Sequence, residues 1–546
     1  MATRNSIIRK TIEVGSSTMV SRLLGMVREI LMANYLGAGI LADAFVTAFK
    51  IPNSLRKIFA EGALSASFVP TFVTLAKKDG KDAVNSLVTL ALFLFEGVLL
   101  IVCLLVMWKA EFVIRCIVPG WFEGCHAPLP KPDSFFASVV SFMGSFFIGC
   151  QAAPQVVHAV TYLRILMCFI LFLSMSSLLA GALQAVNHFF VPAFAPVLLN
   201  IVFITGLIVC MSFSYSPAVL CIFILVGGFL QLIWHIYTYF SYGFHFGTIH
   251  KKTWQTFTKV WKKFLPFLFS MSIVEIQLFI DTSFASYLAT GSIALINYAN
   301  RFMQIPLGVF ATAFSTILLP HLSRVGNYAP RRLGFYVLEA SKLIFFVMIP
   351  FSLIMGFVAE KIFLTLFLSK KFTLDAVHTA SLILIVSLGG LVFFSLNKIL
   401  LNVYYALHET KLPMYISMIS TLVNIILSYI LMTPFGVYGI AFATTLAGVM
   451  QTVLFVFFLW RRFDLVCYPK QFKKFITGFC VQLGLFSLLF VSGYYGIEYM
   501  VHHCAVMHFL LYKMGFWLWF VPYAALFFLA LFKTRKLFGL SFYFID

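Results

Sequence analysis

Residues 87–108 read LVTLALFLFEGVLLIVCLLVMW, a run whose one acidic or basic side chain is Glu96. On a helix such a run is apolar on every face, so only lipid or the inside of a larger apolar bundle can solvate it. A hydrocarbon layer about 30 Å thick takes about 20 residues of helix. Comparable stretches recur at 11–36, 43–74, 86–108, 159–186, 192–213, 217–240, 264–289, 292–322, 335–358, 377–405, 412–433, 436–460, 473–496 and 508–532. The 546 residues are 61% hydrophobic and 11% charged, too greasy for a water-soluble core. The expected fold class is an all-α polytopic membrane protein of about 14 transmembrane helices. A β-barrel would alternate apolar and polar residues in strands of about ten, and these runs do not alternate.

An even number of spans puts both ends on one side. The loops on that side hold HKKTWQTFTKVWKK (250–263), RVGNYAPRR (324–332), RRFDLVCYPKQFKK (461–474) and KTRK (533–536). Positive charge stays cytoplasmic, so both termini are expected in the cytoplasm. Short basic loops also account for most of the net charge of +20 without a nucleic-acid partner. Within 245–263, Trp254, Phe257 and Trp261 fall at helical spacing and suit a basic amphipathic helix on the anionic inner leaflet. The N-terminus lacks a clean apolar stretch and a small-residue cleavage site, so no cleaved targeting segment is expected. Residues 119–158 fit no full span; FFASVVSFMGSFFIGC (135–150) reads as an interfacial or re-entrant piece of an extracytoplasmic loop. The ten Cys are dispersed without a CxxC pair, and Cys116 and Cys125 would pair only if their loop faces an oxidising compartment.

An internal repeat organises the spans. ANYLGAGILADAFVTAFKIP (33–52) resembles ASYLATGSIALINYANRFMQIP (285–306), and ALSASFVP (63–70) resembles AFSTILLP (313–320). Two lobes of six helices follow, with a ligand expected between them as in transporters built from repeats. The expected organisation is a first lobe at 1–243, a basic amphipathic linker at 244–263, a second lobe at 264–462, and two extra helices with a cytoplasmic tail at 463–546.

The second span carries the most unusual charges. At 100° per residue, Asp43, Lys50, Lys57 and Glu61 lie within about 40° of one another, flanked by Arg56 and Asn53, over about 27 Å of helix. A mid-membrane charge facing lipid costs roughly 2.5–3.5 kcal/mol, so the stripe must face protein or a water-filled cavity. Arg22 and Arg28 on the first span and Arg301, beside Asn300 and Gln304, on the eighth add further charge. The set Arg22, Arg28, Asp43, Lys50, Arg56, Lys57, Glu61 and Arg301 has six cations and two anions, which implies an anionic ligand such as a phosphate or diphosphate. The competing reading makes some of these charges fixed interhelical ion pairs or interface anchors. Gly25, Pro52 and Pro306 are the expected hinges. Of the other ionisables in apolar runs, Glu96, Arg164, Glu275, Asp281, Glu339, Lys342 and Lys398, the pair Glu339 and Lys342 is expected to bond locally at i,i+3. Asp281 with Asn424 and Thr444 offers oxygen ligands for a cation or proton, although one sequence does not show that they meet.

No GxxxxGK[ST], HExxH or GxSxG motif is present, and no acidic loop of the kind that holds a nucleotide sugar through a divalent metal. A transporter without its own ATPase is therefore expected rather than an enzyme.

The segments SRLLGMVREILMANYLGAG (21–39), DAFVTAFKIPNSLRKIFAEGALSASFVP (43–70), QAVNHFFVPAFAPVLLN (184–200) and NYANRFMQIPLGVFATAFSTILLP (297–320) resemble the MurJ (MviN) family of lipid II flippases, within the multidrug/oligosaccharidyl-lipid/polysaccharide exporter superfamily. The resemblance covers nearly the whole chain apart from about 120–157. It implies a central cationic cavity between two six-helix lobes, and a groove for the lipid tail beside the last two helices. It also implies transport of lipid II across the bacterial cytoplasmic membrane by alternating access, for cell-wall synthesis. Substrate contact is implied for Arg22, Arg28, Asp43, Asn53, Arg56, Glu61 and Arg301, with Glu29, Lys50, Lys57, Asn300 and Gln304 secondary. Glu29 stands where Asp is usual in the family, and Asn300 and Gln304 stand where acids often flank the arginine. A coupling cation (Na+ or H+) at Asp281, Asn424 and Thr444, or the membrane potential, would supply the energy; no cofactor and no certain metal are implied. Expected partners are lipid II, membrane lipids and other cell-wall synthesis proteins. The alternatives are an exporter of another lipid-linked oligosaccharide or of drugs, and a membrane-embedded enzyme acting on polyprenyl-linked sugars.

Overall fold

A computed structural model describes residues 4–123, 151–186, 188–328, 332–407, 409, 411–463, 468–503 and 513–544. Among them, nine helical spans are long and apolar enough to cross a membrane, and a tenth is a helix pair bent by 43°. Four more of the expected spans are also helical, two of them divided by π-helical segments into pieces of 14 to 16 residues. These are α1 (Arg4–Leu36), α2 (Ile40–Leu55) continuing through π1 (Arg56–Leu64) into α3 (Ser65–Lys78), α10 (Lys251–Ala285), and α11 (Ser292–Pro306) continuing through π2 (Leu307–Thr312) into α12 (Ala313–Tyr328).

The chain divides into two compact units, residues 1–294 and 295–546. After α3, the first unit runs α4 (Gly80–Trp108), the short α5 (Ala110–Ile117), α6 (Pro154–Leu166), α7 (Phe169–Ala185), α8 (Phe190–Ser212), α9 (Pro217–Ser241) and α10. The second unit holds most of α11, then π2 and α12, followed by α13 (Leu333–Phe357), the short α14 (Ala359–Leu366), α15 (Leu374–Leu388), α16 (Leu391–Ala406), α17 (Lys411–Phe435) and α18 (Val437–Phe463). It ends with α19 (Pro469–His503) and α20 (Met514–Thr534). The order from α2 to α9 thus recurs from α11 to α18, down to the short helix after the long one and the broken pair after that. The sequence similarity of 33–52 and 285–306 marks the start of each copy.

One departure from an all-helical chain is a two-residue antiparallel pairing, Phe122 with Ala152 and Glu123 with Gln151. It ties together the two ends of the segment that fits no full span. The re-entrant piece expected at 135–150, and Cys125 with it, lie outside the described residues.

The expected amphipathic segment does not stand apart: residues 251–263 are the first turns of α10. Thr253, Phe257, Val260 and Phe264 form its buried face, while Lys251, Lys252, Lys259 and Lys262 are exposed. Trp254 and Trp261 sit toward the outside, as interfacial tryptophans do. The buried face joins α3 and α4 in an aromatic cluster, with ring centroids 4.9 Å apart for Phe95 and Phe264 and 5.5 Å for Phe68 and Phe95. Without a hydrophobic drive between helices in lipid, such close packing supplies the attraction. In the second unit Phe394 fills a slot that small residues leave: a Cβ on Gly448 would meet its ring at 2.4 Å, and one on Gly390 at 2.7 Å.

Candidate functional site

The charged stripe of α2 and π1 is a zipper onto α10. Lys50 donates to the Leu278 carbonyl (3.2 Å) and to the Thr282 hydroxyl, the Ser54 hydroxyl donates to Glu275 Oε2 (2.6 Å), and Lys57 Nζ lies 3.0 Å from Glu275 Oε1. Positions 50, 54 and 57 advance by four and three residues, and 282, 278 and 275 step back by the same amounts, which is the pairing of antiparallel helices. The neutral oxygens of Leu278 and Thr282 thus solvate the Lys50 ammonium, and Lys57 forms an interhelical ion pair with Glu275. The sequence noted Glu275 as ionisable but assigned it no role.

Asp43 anchors backbone. Its carboxylate is 2% exposed and accepts from the amides of Gly291 (2.6 Å) and Ala294 (2.8 Å), at the turn that opens α11. A carboxylate on the first amides of a helix is well placed against its dipole. Gly291 has φ +95°, and a Cβ there would sit 2.4 Å from the Ala38 carbonyl oxygen, so only glycine fits the turn. Both oxygens of Asp43 being engaged, its placement is that of a helix anchor.

Arg28 and Arg56 lie off the zipper. Arg28 Nη1 donates to Asn200 Oδ1 (3.0 Å), Nη2 meets Glu29 Oε1 (2.7 Å), and the guanidinium lies 5.0 Å from the centroid of the Phe203 ring. Asn200 Nδ2 donates in turn to the Ser21 carbonyl (3.0 Å), so α8 fixes the arginine by an amide already held to α1. Asn200 escaped the sequence reading because nothing local marks it. Arg56 is oriented by Asn53, whose Oδ1 accepts from Nε (3.2 Å) and Nη2 (3.1 Å). Arg22 is exposed on α1, and the Glu61 side chain lies outside the described residues.

The expected hinges differ in kind. The helix α1 passes through Gly25 unbroken, and no atom lies within 4 Å of a Cβ built there, so packing does not require the glycine. Pro52 and Pro306 are each followed by a π-helical segment, π1 and π2. Proline removes an N–H from the ladder and crowds the preceding turn, and widening the helix absorbs the extra residue. In the second unit α16 braces this wider turn: Lys398 Nζ donates to Thr312 Oγ1 (2.6 Å), and Asn402 Nδ2 donates to the Ser315 carbonyl (2.7 Å). Arg301 and Asn300 are half-buried on α11, one turn or more before Pro306, and Gln304 is exposed.

Of the expected cation ligands, Asn424 Nδ2 donates to Thr444 Oγ1 (3.1 Å) between α17 and α18, while Asp281 is half-buried on α10 of the first unit. The local pair Glu339–Lys342 forms at 2.6 Å. Glu339 Oε2 also accepts from the Tyr543 amide (3.1 Å), docking the chain end onto α13.

The family model described as lipid II flippase MurJ matches residues 32–515. A probable lipid II flippase MurJ of Haemophilus influenzae is 31% identical over 449 residues, 80% of this chain and 83% of that protein. The lipid II flippase MurJ of Burkholderia cenocepacia is 29% identical over 84% of each chain. Among solved structures, a lipid II flippase MurJ in an inward closed conformation aligns with a TM-score of 0.73 at 24% identity, over 96% of this chain and 99% of that one. An inward-facing multidrug resistance MATE transporter of the MOP superfamily aligns with a TM-score of 0.66 at 15% identity over 85% of this chain, which speaks for the fold.

Proposed function

The chain belongs to the lipid II flippase MurJ family, and on that premise we propose that it carries lipid II, the undecaprenyl-diphosphate-linked peptidoglycan precursor, from the inner to the outer leaflet of the bacterial cytoplasmic membrane. The family is one of transporters, not of enzymes. The observation that supports an anionic headgroup best is the setting of Arg28. Its guanidinium is pre-oriented by Asn200, Glu29 and Phe203, and Arg56 is similarly aimed by Asn53. Guanidiniums take diphosphate oxygens in a planar fork, and an arginine already ordered gives up less entropy on binding.

In this reading Arg28, Arg56 and Arg301 replace water around the diphosphate during its passage through the low-dielectric layer, while the lipid tail stays in the bilayer beside α19 and α20. Lys50, Lys57, Asp43 and Glu275 hold α2, π1 and α10 together rather than touching the headgroup. Access alternates between the two sides, with π1 and π2 as the compliant points. Both termini are cytoplasmic, and the energy comes from the membrane potential or a cation, Asp281 being the carboxylate proposed for it.

Depletion of the protein in its host, followed by leaflet-resolved detection of lipid II, tests the function. Lipid II is expected to accumulate in the inner leaflet and to return outside when the wild-type chain is restored. An unchanged leaflet distribution after depletion would exclude this role.

A further inference from the structure

Glu96 lies sixteen residues into α4 and twelve from its end, in the middle of the most apolar run of the chain. At 1.5 Å per residue it is about 24 Å and about 18 Å from the two helix ends, which is mid-membrane depth. It follows Leu92 by four residues and precedes Leu99 by three and Cys103 by seven, all buried, so it stands on the inner stripe of α4. Phe93, Val98, Ile101 and Leu104 on the other face are exposed.

Both carboxylate oxygens of Glu96 are sealed from the surface, and neither lies within hydrogen-bonding geometry of a partner among the described residues. The polar group facing it is the Ser174 hydroxyl of α7, itself fully buried and unpartnered. Cys103 on α4 is within electrostatic reach of Glu96, and Cys168 just before α7 is within reach of Cys103; neither is a cation. Phe68 of α3 and Phe257 and Phe264 of α10 pack on Phe95, the residue before Glu96. Arg164 of α6 meets α4 at the Met107 carbonyl, about 16 Å further along the helix.

The contrast with the neighbouring acids is sharp. Asp43 has two amides, Glu275 has Lys57 and Ser54, Glu339 has Lys342 and an amide, and Glu29 has Arg28. An ionised carboxylate with no cation beside it and one serine hydroxyl facing it is costly at this depth, and the neutral acid removes that cost while gaining an O–H to donate. We propose that Glu96 is a proton-binding site of the first unit: its carboxyl group holds a proton in this conformation, donates toward Ser174, and releases the proton to water only when the α4–α7 seam opens during transport. The proton site stands on this geometry alone; its link to transport rests on the flippase reading.

The test uses the full-length protein in lipid vesicles. N,N′-Dicyclohexylcarbodiimide adds to protonated carboxyl groups in apolar surroundings and leaves a stable N-acylurea, which peptide mass spectrometry locates. Labelling at Glu96 near neutral pH, falling as pH rises and absent in Glu96→Gln, is expected. An infrared carbonyl band of a protonated carboxyl should also disappear in Glu96→Gln and shift in Ser174→Ala, which keeps the acid should the first variant misfold. Absence of both labelling and band means an ionised Glu96 and overturns the proton site. For the transport link, lipid II flipping by the wild type should vary with pH and that of Glu96→Gln should not. Identical pH profiles with the band present would overturn the link and leave the flippase reading intact, whereas no flipping by the wild type would count against that reading instead.

Discussion

Replacing Glu275 by Ala removes both acceptors of the zipper's centre. Ser54, 2% exposed, loses its 2.6 Å bond and is left with a buried hydroxyl that needs a new acceptor, at about 1–3 kcal/mol. Lys57, whose side chain is 38% exposed, can turn its ammonium toward water, so its 3.0 Å pair contributes at the level of a surface pair, about 0–1 kcal/mol. Together the loss is about 1–4 kcal/mol, and most of it belongs to Ser54. Glu275→Gln keeps an oxygen for Ser54 and gives up only the charge, so it should lose about 1 kcal/mol or less. The double variant Lys57→Met, Glu275→Gln should then cost little more than Glu275→Gln alone, because the pair it breaks is already broken. Denaturant unfolding in detergent micelles, followed by tryptophan fluorescence, reads these differences at about 1.4 kcal/mol per tenfold change in the folding equilibrium. Equal losses for Glu275→Ala and Glu275→Gln would refute the assignment of the energy to the Ser54 bond. A Glu275→Ala protein as stable as wild type would refute the zipper itself.

The turn before α11 gives a second expectation. Gly291→Ala brings a Cβ within 2.4 Å of the Ala38 carbonyl oxygen at φ +95° and should cost more than about 2 kcal/mol in the same unfolding measurement, while Asp43→Asn, which keeps one of two acceptors, should cost about 1–2 kcal/mol. The docked chain end gives a third. Phe542 is 1% exposed and its ring lies 5.0 Å from that of Phe346, so Phe542→Ala should destabilise the second unit by about 3–5 kcal/mol. In limited proteolysis the same variant should release the segment after Thr534 earlier than wild type does. Glu339→Gln should weaken the Lys342 pair yet keep an acceptor for the Tyr543 amide, and so should leave that cleavage nearly unchanged.

What was legible in the sequence is what has a period or a local partner. The spans followed from apolar runs, the duplicated order of helices from the Ile-Pro echo at 51–52 and 305–306, and the Glu339–Lys342 pair from its i,i+3 spacing. The stripe of Asp43, Lys50 and Lys57 was also correctly placed on one face. What faces it was not legible, because Glu275 is 218 residues from Lys57, and no local rule joins them. The same distance in sequence hid Asn200, 172 residues from Arg28. Prolines pointed to hinges, but that the backbone widens into π turns afterwards depends on tertiary bracing such as Lys398 on Thr312. The sequence grouped all the span charges as candidate wall; the contacts show Lys50 and Lys57 joining α2 and π1 to α10 and Asp43 holding the turn before α11, whereas the guanidiniums of Arg28 and Arg56 are oriented by the side-chain amides of Asn200 and Asn53.

That separation is tested most directly by purified protein in vesicles carrying lipid II, with the rate of headgroup transfer measured for wild type, for Arg28→Ala, Arg56→Ala and Arg301→Ala, and for Lys50→Gln. The three arginine variants should fold yet lose at least tenfold in transfer rate, and Lys50→Gln, which gives up the charge that bonds the Leu278 carbonyl and the Thr282 hydroxyl but keeps a donor, should transfer at close to the wild-type rate. Full transfer by the three folded arginine variants would contradict the account.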